Sequence, residues 1–204
     1  FKPARRLSGS TRFHVTVPQG TQSIDGSRLA SDYTLEFSTA TARVRGMYPS
    51  DGARQLMPSE SLFLKFTQPV DPEELQKHLH LLARVPGEKQ GRELPVAIRP
   101  GAPPGAERED RETTDALVAL ARQSIAGSSG LWLQVHPTQP LPLDSEFELT
   151  ISKGLHSQEG PLPADEVTKW SLRTYGPLRL QNVDCARQNL GRCQAHRDMT
   201  VELS

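Results

Sequence analysis

The sequence predicts an all-β protein made of tandem β-sandwich modules. A patterned segment at residues 141–174 has a diverged copy at residues 7–39, which indicates a repeated domain type. Short apolar runs alternate with polar residues throughout the chain, as in strands with one buried face. Seventeen prolines and 15 glycines among 204 residues interrupt these runs. This composition favours short strands joined by turns over long helices.

The two copies share an alternating apolar run, a glycine, an acid–glycine pair and a second alternating run that ends in threonine. An offset of 134 positions is kept at three separate features: Phe13 and Phe147, Gly20 and Gly154, Gly26 and Gly160. Such a constant spacing indicates equivalent places in two modules. The copy therefore marks where a module closes.

This repeat divides the chain into three parts. Residues 1–41 are the C-terminal part of a first module, residues 42–175 are a complete module, and residues 176–204 open a third. The strands of the first part cannot form a stable sandwich alone, so their partners are expected from upstream sequence or from another polypeptide. We therefore expect a fragment of a longer protein, with any targeting sequence upstream.

The first part contains two strands, over residues 12–17 and 33–37. In the former, Phe13, Val15 and Val17 are predicted on a buried face. The Asp25-Gly26 pair between the strands could hold calcium, but the equivalent Glu159-Gly160 pair favours a turn at both places.

The central module is predicted to begin with a strand near Val44, a turn at residues 49–52 and a strong strand at residues 61–67. A short helix then starts at Asp71, which can cap free N–H groups, with Pro72 in the first turn. Further strands are predicted at residues 78–85, 94–98 and 131–135, before the second copy of the repeat.

Residues 101–130 form a charged insertion within this module. The charge-dense residues 107–112 predict a solvated loop or a disordered segment. Residues 113–123 have helical apolar spacing, although a strand over residues 116–121 fits almost as well. The third module opens after residue 175, and its residues 199–204 resemble the strand at residues 62–67 in pattern.

The charges balance, with 24 Lys plus Arg and 24 Asp plus Glu. A net charge of zero gives no basic excess for nucleic acid or anionic membranes, so neither is predicted as a partner. No apolar run reaches the roughly 18 residues of a transmembrane helix.

Two cysteines, Cys185 and Cys193, are the candidate site residues. They could form a small disulfide loop, since a turn at residues 189–191 would bring them together, and a bridge would indicate an oxidising compartment. Two reduced thiols in a surface loop are the alternative. Only His196 lies near them, which disfavours a zinc site.

Other side chains give weak signals for chemistry. His78 and His80 would share one face of a strand, but further metal ligands do not accompany them, so solvent-facing roles are favoured. Trp132 and Trp170 alternate with apolar residues, which favours core packing over a carbohydrate platform. No nucleophile elbow or phosphate-binding loop is present, and we predict no catalytic, cofactor-binding or metal-binding residue.

The repeated pattern, the phrase YPSDG followed by SLFLKFTQPVDPEEL, and the late cysteine pair resemble the N-terminal modules of bacterial alpha-2-macroglobulins. The resemblance implies immunoglobulin-like or macroglobulin-like sandwiches in a large periplasmic or cell-envelope protein, often lipid-anchored upstream. It implies neighbouring modules, target proteases and a penicillin-binding protein as partners. Members trap proteases through a Cys-x-Glu-Gln thioester, but Cys193 is followed by Gln194-Ala195. The resemblance therefore implies a non-enzymatic scaffold without cofactors.

A second interpretation remains open. The patterns P-x-D-G and F-x-x-P-V, present here as PSDG and FTQPV, and the pattern G-x-L … F-x-T are shared with immunoglobulin-like interaction modules of bacterial adhesins and cell-wall proteins. Further repeats or a wall-anchoring signal would favour that interpretation. A hydrolase is a third hypothesis, which would require a catalytic constellation that the sequence does not display.

Overall fold

The computed structural model describes residues 3–104, 131–185 and 199–203. In these residues the chain is almost entirely β, with a single short helix. The strands follow one another as β1 Arg12–Val17, β2 Tyr33–Ser38, β3 Val44–Tyr48, β4 Leu62–Phe66, β5 Leu79–Arg84, β6 Arg92–Glu93, β7 Val96–Pro100, β8 Trp132–Pro137, β9 Glu146–Ile151, β10 Thr168–Arg173, β11 Leu180–Cys185 and β12 Met199–Leu203. The predicted all-β fold is confirmed.

The central module contains two four-stranded antiparallel sheets. Their strand orders are β3-β4-β8-β7 and β10-β9-β5-β6. Alternating residues of both sheets are buried in a single core, as in a β-sandwich. The core residues include Leu62, Leu64, Phe66, Leu81, Leu133, Val135, Phe147, Leu149 and Leu172. This sandwich places β9 in the middle of one sheet, between β5 and β10.

The helix α1, Pro72–His78, begins as the sequence predicts. The carboxylate of Asp71 accepts a hydrogen bond from the Glu73 N–H at 2.9 Å, and Pro72 occupies the first turn. Leu75 faces the core with no exposed surface. The chain turns at Leu79 directly into β5, so the helix is a single short connection between the two sheets.

Backbone hydrogen bonds cover the free edge of β10. The Gly52 N–H donates to the Ser171 carbonyl at 2.8 Å, and the Arg173 N–H donates to the Ala53 carbonyl at 2.8 Å. Leu56 continues the contact as a short parallel bridge to Thr174. An unpaired edge strand invites association with other chains, and here the turn after β3 blocks it.

The two copies of the repeat have the same structure. In the first copy the Thr39 N–H donates to the Thr11 carbonyl at 2.9 Å, the Thr11 N–H donates to Thr39 Oγ1 at 3.0 Å, and Thr39 Oγ1 donates to the Ser8 carbonyl at 2.8 Å. We call this arrangement the threonine latch. The second copy repeats all three hydrogen bonds among Thr174, Ser145 and Pro142. The repeat is therefore a structural unit that occurs twice among the described residues.

Two details differ from the sequence-based expectation. The strand predicted at residues 94–98 begins only at residue 96, as β7, because Pro95 lacks the N–H that a continuous ladder requires, and β6 before it pairs in the other sheet. The face of β1 that carries Phe13 and Val15 is only half-buried, and Val17 is 37% exposed. The alternation was predicted correctly, but the described residues place no second sheet over this face.

Some sequence predictions lie outside the described residues. These are the helix at residues 113–123, the charged segment at residues 107–112 and the side chain of Cys193. The third part begins with β11 and β12, which pair antiparallel. These two strands follow the second threonine latch after a short connector. β3 and β4 follow the first threonine latch in the same way.

Candidate functional site at the module junction

Polar side chains are buried where the first module meets the central one. Ser10 is fully buried and Gln68 is 5% exposed. Ser10 Oγ donates to Gln68 Oε1 at 2.8 Å, and Gln68 Nε2 donates to the Ala40 carbonyl at 2.6 Å. Ser157 Oγ lies 2.8 Å from the same Oε1. Both ends of the Gln68 amide are thus satisfied, as burial of an amide requires.

Three separate segments position this cluster. Ser10 precedes β1 and has a φ of 50°, held by a hydrogen bond from its N–H to the Ala40 carbonyl at 2.9 Å. Gln68 follows β4, and Ser157 lies in the loop between β9 and β10. The residues are far apart in the sequence, so only the folded arrangement of both modules brings them together.

A carboxylate closes the same junction. Glu159 accepts from the Gly9 N–H at 2.7 Å and from Arg6 at 3.2 Å, and its side chain is 14% exposed. The Leu162 N–H donates to the Ser10 carbonyl at 2.8 Å, which adds a backbone bond across the junction. Hydrogen bonds to a charged group are stronger than neutral ones, so Glu159 ties the first module firmly to the β9–β10 loop.

Close backbone approach explains two glycines. A Cβ at Gly160 would clash with Thr11 Oγ1 and with the carbonyl oxygens of Gly9 and Ser10. A Cβ at Gly9 would lie 2.5 Å from the side-chain amide carbon of Gln68. The junction therefore has no room for a side chain at Gly160, and one at Gly9 would have to displace the buried Gln68 amide. We call the set of Gly9, Ser10, Gln68, Ser157, Glu159 and Gly160 the junction cluster.

The sequence interpretation of the acid–glycine pairs accounts for one copy fully and for the other only in part. Asp25-Gly26 forms a turn in which the Asp25 carboxylate accepts from the Ser27 N–H at 3.1 Å, and Gly26 has a φ of 86°. The hydrogen bonds from Ser27 hold the pKa of Asp25 below its usual range. Glu159-Gly160 instead contacts the neighbouring module. The signal that could have indicated this role is the tight spacing of small residues around Ser10.

A second charged cluster surrounds α1. Glu74 lies 2.8 Å from Lys77 Nζ, 3.0 Å from His156 Nδ1 and 3.5 Å from His78 Nε2. Hydrogen bonds from Lys77 and then from His156 lower the pKa of Glu74 to about 2. A carboxylate that is this well stabilised as the anion is a weak base at neutral pH. The arrangement fits an ion-pair network that fastens α1 to the β9–β10 loop.

The predicted shared face of His78 and His80 is wrong, because His78 ends the helix and His80 lies in β5. His78 Nδ1 is 3.2 Å from Ser152 Oγ, and its side chain is 19% exposed. His80 is solvent-facing, as favoured, and pairs with Glu93 at 2.7 Å.

The two tryptophans occupy different environments. Trp170 packs against the core of the central module, as the sequence predicts. Trp132 is 5% exposed, but it lies outside that core on the opposite face of β8, with Lys65 Nζ 5.3 Å from its ring centroid. Burial of Trp132 agrees with the expected packing role, although Leu133 and Val135 take the inward positions of that strand.

A groove of about 260 Å³ lies on the outer surface of the β10-β9-β5-β6 sheet. Its lining mixes both signs of charge, including Arg54, Arg84, Arg173, Glu146 and Glu148. Glu148 pairs with Lys169 at 2.8 Å, which holds the pKa of Glu148 below its usual range. With three arginines and two glutamates in its lining, the groove presents only a small positive excess to a ligand.

Cys185 is the last residue of β11, and Cys193 lies outside the described residues. The disulfide therefore remains a prediction. Across residues 3–104, 131–185 and 199–203, no three His, Cys, Asp or Glu side chains converge as a metal site would need. In the same residues no helix combines the length and the hydropathy of a membrane span.

Comparison with known proteins gives limited information. No family model matches the chain. Circularly permutated Ras protein 2 of Dictyostelium discoideum is 24% identical over 164 residues, which are 78% of this chain and 4% of that protein. A crystal structure of the S-layer protein rSbsC aligns with a TM-score of 0.34 and 15% identity, over 73% of this chain and 16% of that one. This chain therefore spans a small part of either protein.

Proposed function

We propose that this chain is a non-enzymatic scaffold segment that holds consecutive β-sandwich modules at a fixed angle. The junction cluster carries the proposal, because it makes specific buried hydrogen bonds between modules. Inter-module contacts in most proteins are small and allow relative motion. Here a buried amide and a backbone approach without space for a Cβ disfavour other orientations.

Two features of the junction favour modules held rigidly together over modules that only touch. If the modules separated slightly without admitting water, the buried amide of Gln68 would lose its hydrogen-bond partners. Leaving a buried polar group unpaired costs more free energy than its hydrogen bonds contribute when they are made. Glu159 adds a charged acceptor that Gly9 and Arg6 share. The two modules should therefore move as one body until the junction opens as a unit.

For the protein as a whole, we propose the scaffold of a bacterial alpha-2-macroglobulin-like protease inhibitor in the periplasm or cell envelope. The resemblance at residues 48–52 and 61–75 supports this, together with the repeated module. In such a protein, rigid modules would set the distance between the parts that capture a protease. An interaction module of an adhesin or cell-wall protein is the second candidate, since a stiff tandem array serves that function as well.

The natural full-length polypeptide distinguishes these candidates. If it carries a Cys-x-Glu-Gln motif, incubation with trypsin should produce an adduct that survives denaturing electrophoresis, and replacement of that cysteine by alanine should abolish the adduct. A full-length protein that lacks the motif and forms no adduct would contradict the inhibitor proposal. Further sandwich repeats with a wall-anchoring signal would favour the adhesin instead.

A further inference from the structure

The loop between β9 and β10 connects the helix α1 to the module junction. At its start, the Ser152 N–H donates to the His78 carbonyl at the end of the helix, at 2.9 Å. Further along, Ser157 and Glu159 belong to the junction cluster. His156 lies between these two attachments and immediately precedes Ser157 in the chain. What holds His156 in place therefore also positions the junction side of the loop.

His156 contacts the helix through its side chain. Its Nδ1 lies 3.0 Å from Glu74 Oε1, and the two residues are 82 positions apart in the sequence. The His156 side chain is 50% exposed and that of Glu74 is 20% exposed. The preceding residue, Leu155, is buried in the core and fixes the loop beside the helix. The contact thus ties the loop to α1.

The helix itself supplies the other charged groups near Glu74. Lys77 Nζ lies 2.8 Å from Glu74 Oε2, and His78 Nε2 lies 3.5 Å from Glu74 Oε1. Glu74 first, and then Glu73 and Asp71, raise the pKa of Lys77. Lys77 therefore keeps its charge at neutral pH. Lys77 and His78 both belong to α1, so their pairing with Glu74 stays within the helix.

Charged groups on the junction side of the loop pair with the first module and with the connector that follows it. Glu159 pairs with Arg6 at 3.2 Å, and Glu166 pairs with Arg43 at 3.0 Å. Carboxylates and guanidinium groups ordinarily stay charged at neutral pH, whereas histidine ordinarily changes charge near about pH 6.5. Among the charged groups named around this loop, the histidines are therefore the ones that respond to pH near neutrality.

We propose that the His156–Glu74 pair is a pH-sensitive link that holds the loop, and with it the module junction, more firmly when His156 is protonated. An imidazolium donates a charge-assisted hydrogen bond to the carboxylate, which is stronger than the hydrogen bond of a neutral ring. The added stabilisation is present below the histidine range and is lost as the pH rises through it. The inference rests on the rigid junction proposed above, because the junction is what the link would strengthen.

Hydrogen exchange at two amides that cross the junction tests the link. The Gly9 N–H donates to Glu159, and the Leu162 N–H donates to the Ser10 carbonyl. Their protection factors, corrected for the intrinsic exchange rate at each pH, should be about two- to fivefold higher at about pH 5.5 than at about pH 8, as expected for a partly exposed ion pair. His156→Gln should remove this difference, because glutamine can donate a hydrogen bond but carries no charge.

His80→Gln is the matched control. His80 is an exposed histidine that also pairs with a carboxylate, Glu93, but it lies in β5 and outside the loop. This variant should keep the pH difference at both amides. Equal protection at the two pH values in the unchanged chain would overturn the link and leave the rigid junction standing, and a pH difference that persists in His156→Gln would also overturn it. Two amides without protection at either pH would contradict the rigid junction as well.

Discussion

Ser10 and Asp144 are equivalent residues of two module-closing units, 134 positions apart in the sequence. Both adopt a left-handed backbone conformation, with φ of 50° and 51°, and both donate their N–H at 2.9 Å to the residue after the latch threonine, Ala40 or Tyr175. Ser10 is fully buried against the next module, whereas Asp144 accepts from Arg173 at 2.9 Å. The left-handed residue and its backbone hydrogen bond are thus the same in both units, whereas the side chain at that position differs.

Removing the central amide should loosen the junction. Gln68→Ala leaves Ser10 and Ser157 without their shared acceptor, so we expect a loss of about 1–3 kcal/mol in the free energy that protects the junction amides. Hydrogen exchange at the Ser10 and Leu162 amides measures this. Gln19→Ala at an exposed position is the control and should leave both rates unchanged. Equal protection in Gln68→Ala and the unchanged chain would contradict the role of the amide.

A side chain at Gly160 should separate the modules. Gly160→Val places atoms where Thr11 and the carbonyls of Gly9 and Ser10 now lie, so the β9–β10 loop must move away. Limited proteolysis should then cut residues 3–12 faster than in the unchanged chain, while the core of the central module stays resistant. Gly46→Ala is the control, because a Cβ there would meet only Lys65 Cβ at 4.0 Å. Unaltered proteolysis of Gly160→Val would argue against close packing.

Glu74 should give the protein an acid-sensitive contribution to stability. Its pKa is about 2 in the folded chain against an ordinary value of 4.5, so the stabilisation is complete above about pH 4.5. It should disappear as the pH falls from 4.5 through 2, because the unfolded chain then binds the proton more readily. Urea unfolding between pH 2 and 6 should show a shallower pH dependence for Glu74→Gln. Glu73→Gln is the neighbouring control and should keep the original slope.

The cysteines should form an intramolecular bridge if the chain comes from an oxidising compartment. Intact protein treated with an alkylating reagent should then gain no mass at Cys185 or Cys193 until a reductant is added. Prior reduction should allow both thiols to be modified. Alkylation of both residues without reductant would show that they are free thiols.

Local patterns predicted the strands well. Alternation identified β1, β2, β4, β9 and β10, and the Asp71-Pro72 pair identified the start of α1, because these signals depend on neighbouring residues only. The start of β7 was placed two residues early, at residue 94, although Pro95 argued against it, and the short β6 was not predicted. In this case the prediction followed the apolar residues and neglected the missing N–H.

The junction cluster could not be predicted in the same way. Ser10, Gln68 and Ser157 are ordinary polar residues in three distant segments, and such residues usually face solvent. Glu159-Gly160 resembled a turn because its counterpart Asp25-Gly26 is one. The difference between the two copies depends on what lies next to each loop in space, which the local sequence does not encode.

The central claim, a rigid junction, is tested most directly by backbone ¹⁵N relaxation. The unchanged chain is compared with its Gly160→Val variant at the same concentration. If the junction is rigid, residues 12–38 and the sandwich strands will report one rotational correlation time, and addition of Gly160→Val will give the hairpin a shorter one. A hairpin that already tumbles faster than the sandwich with Gly160 intact would contradict the account.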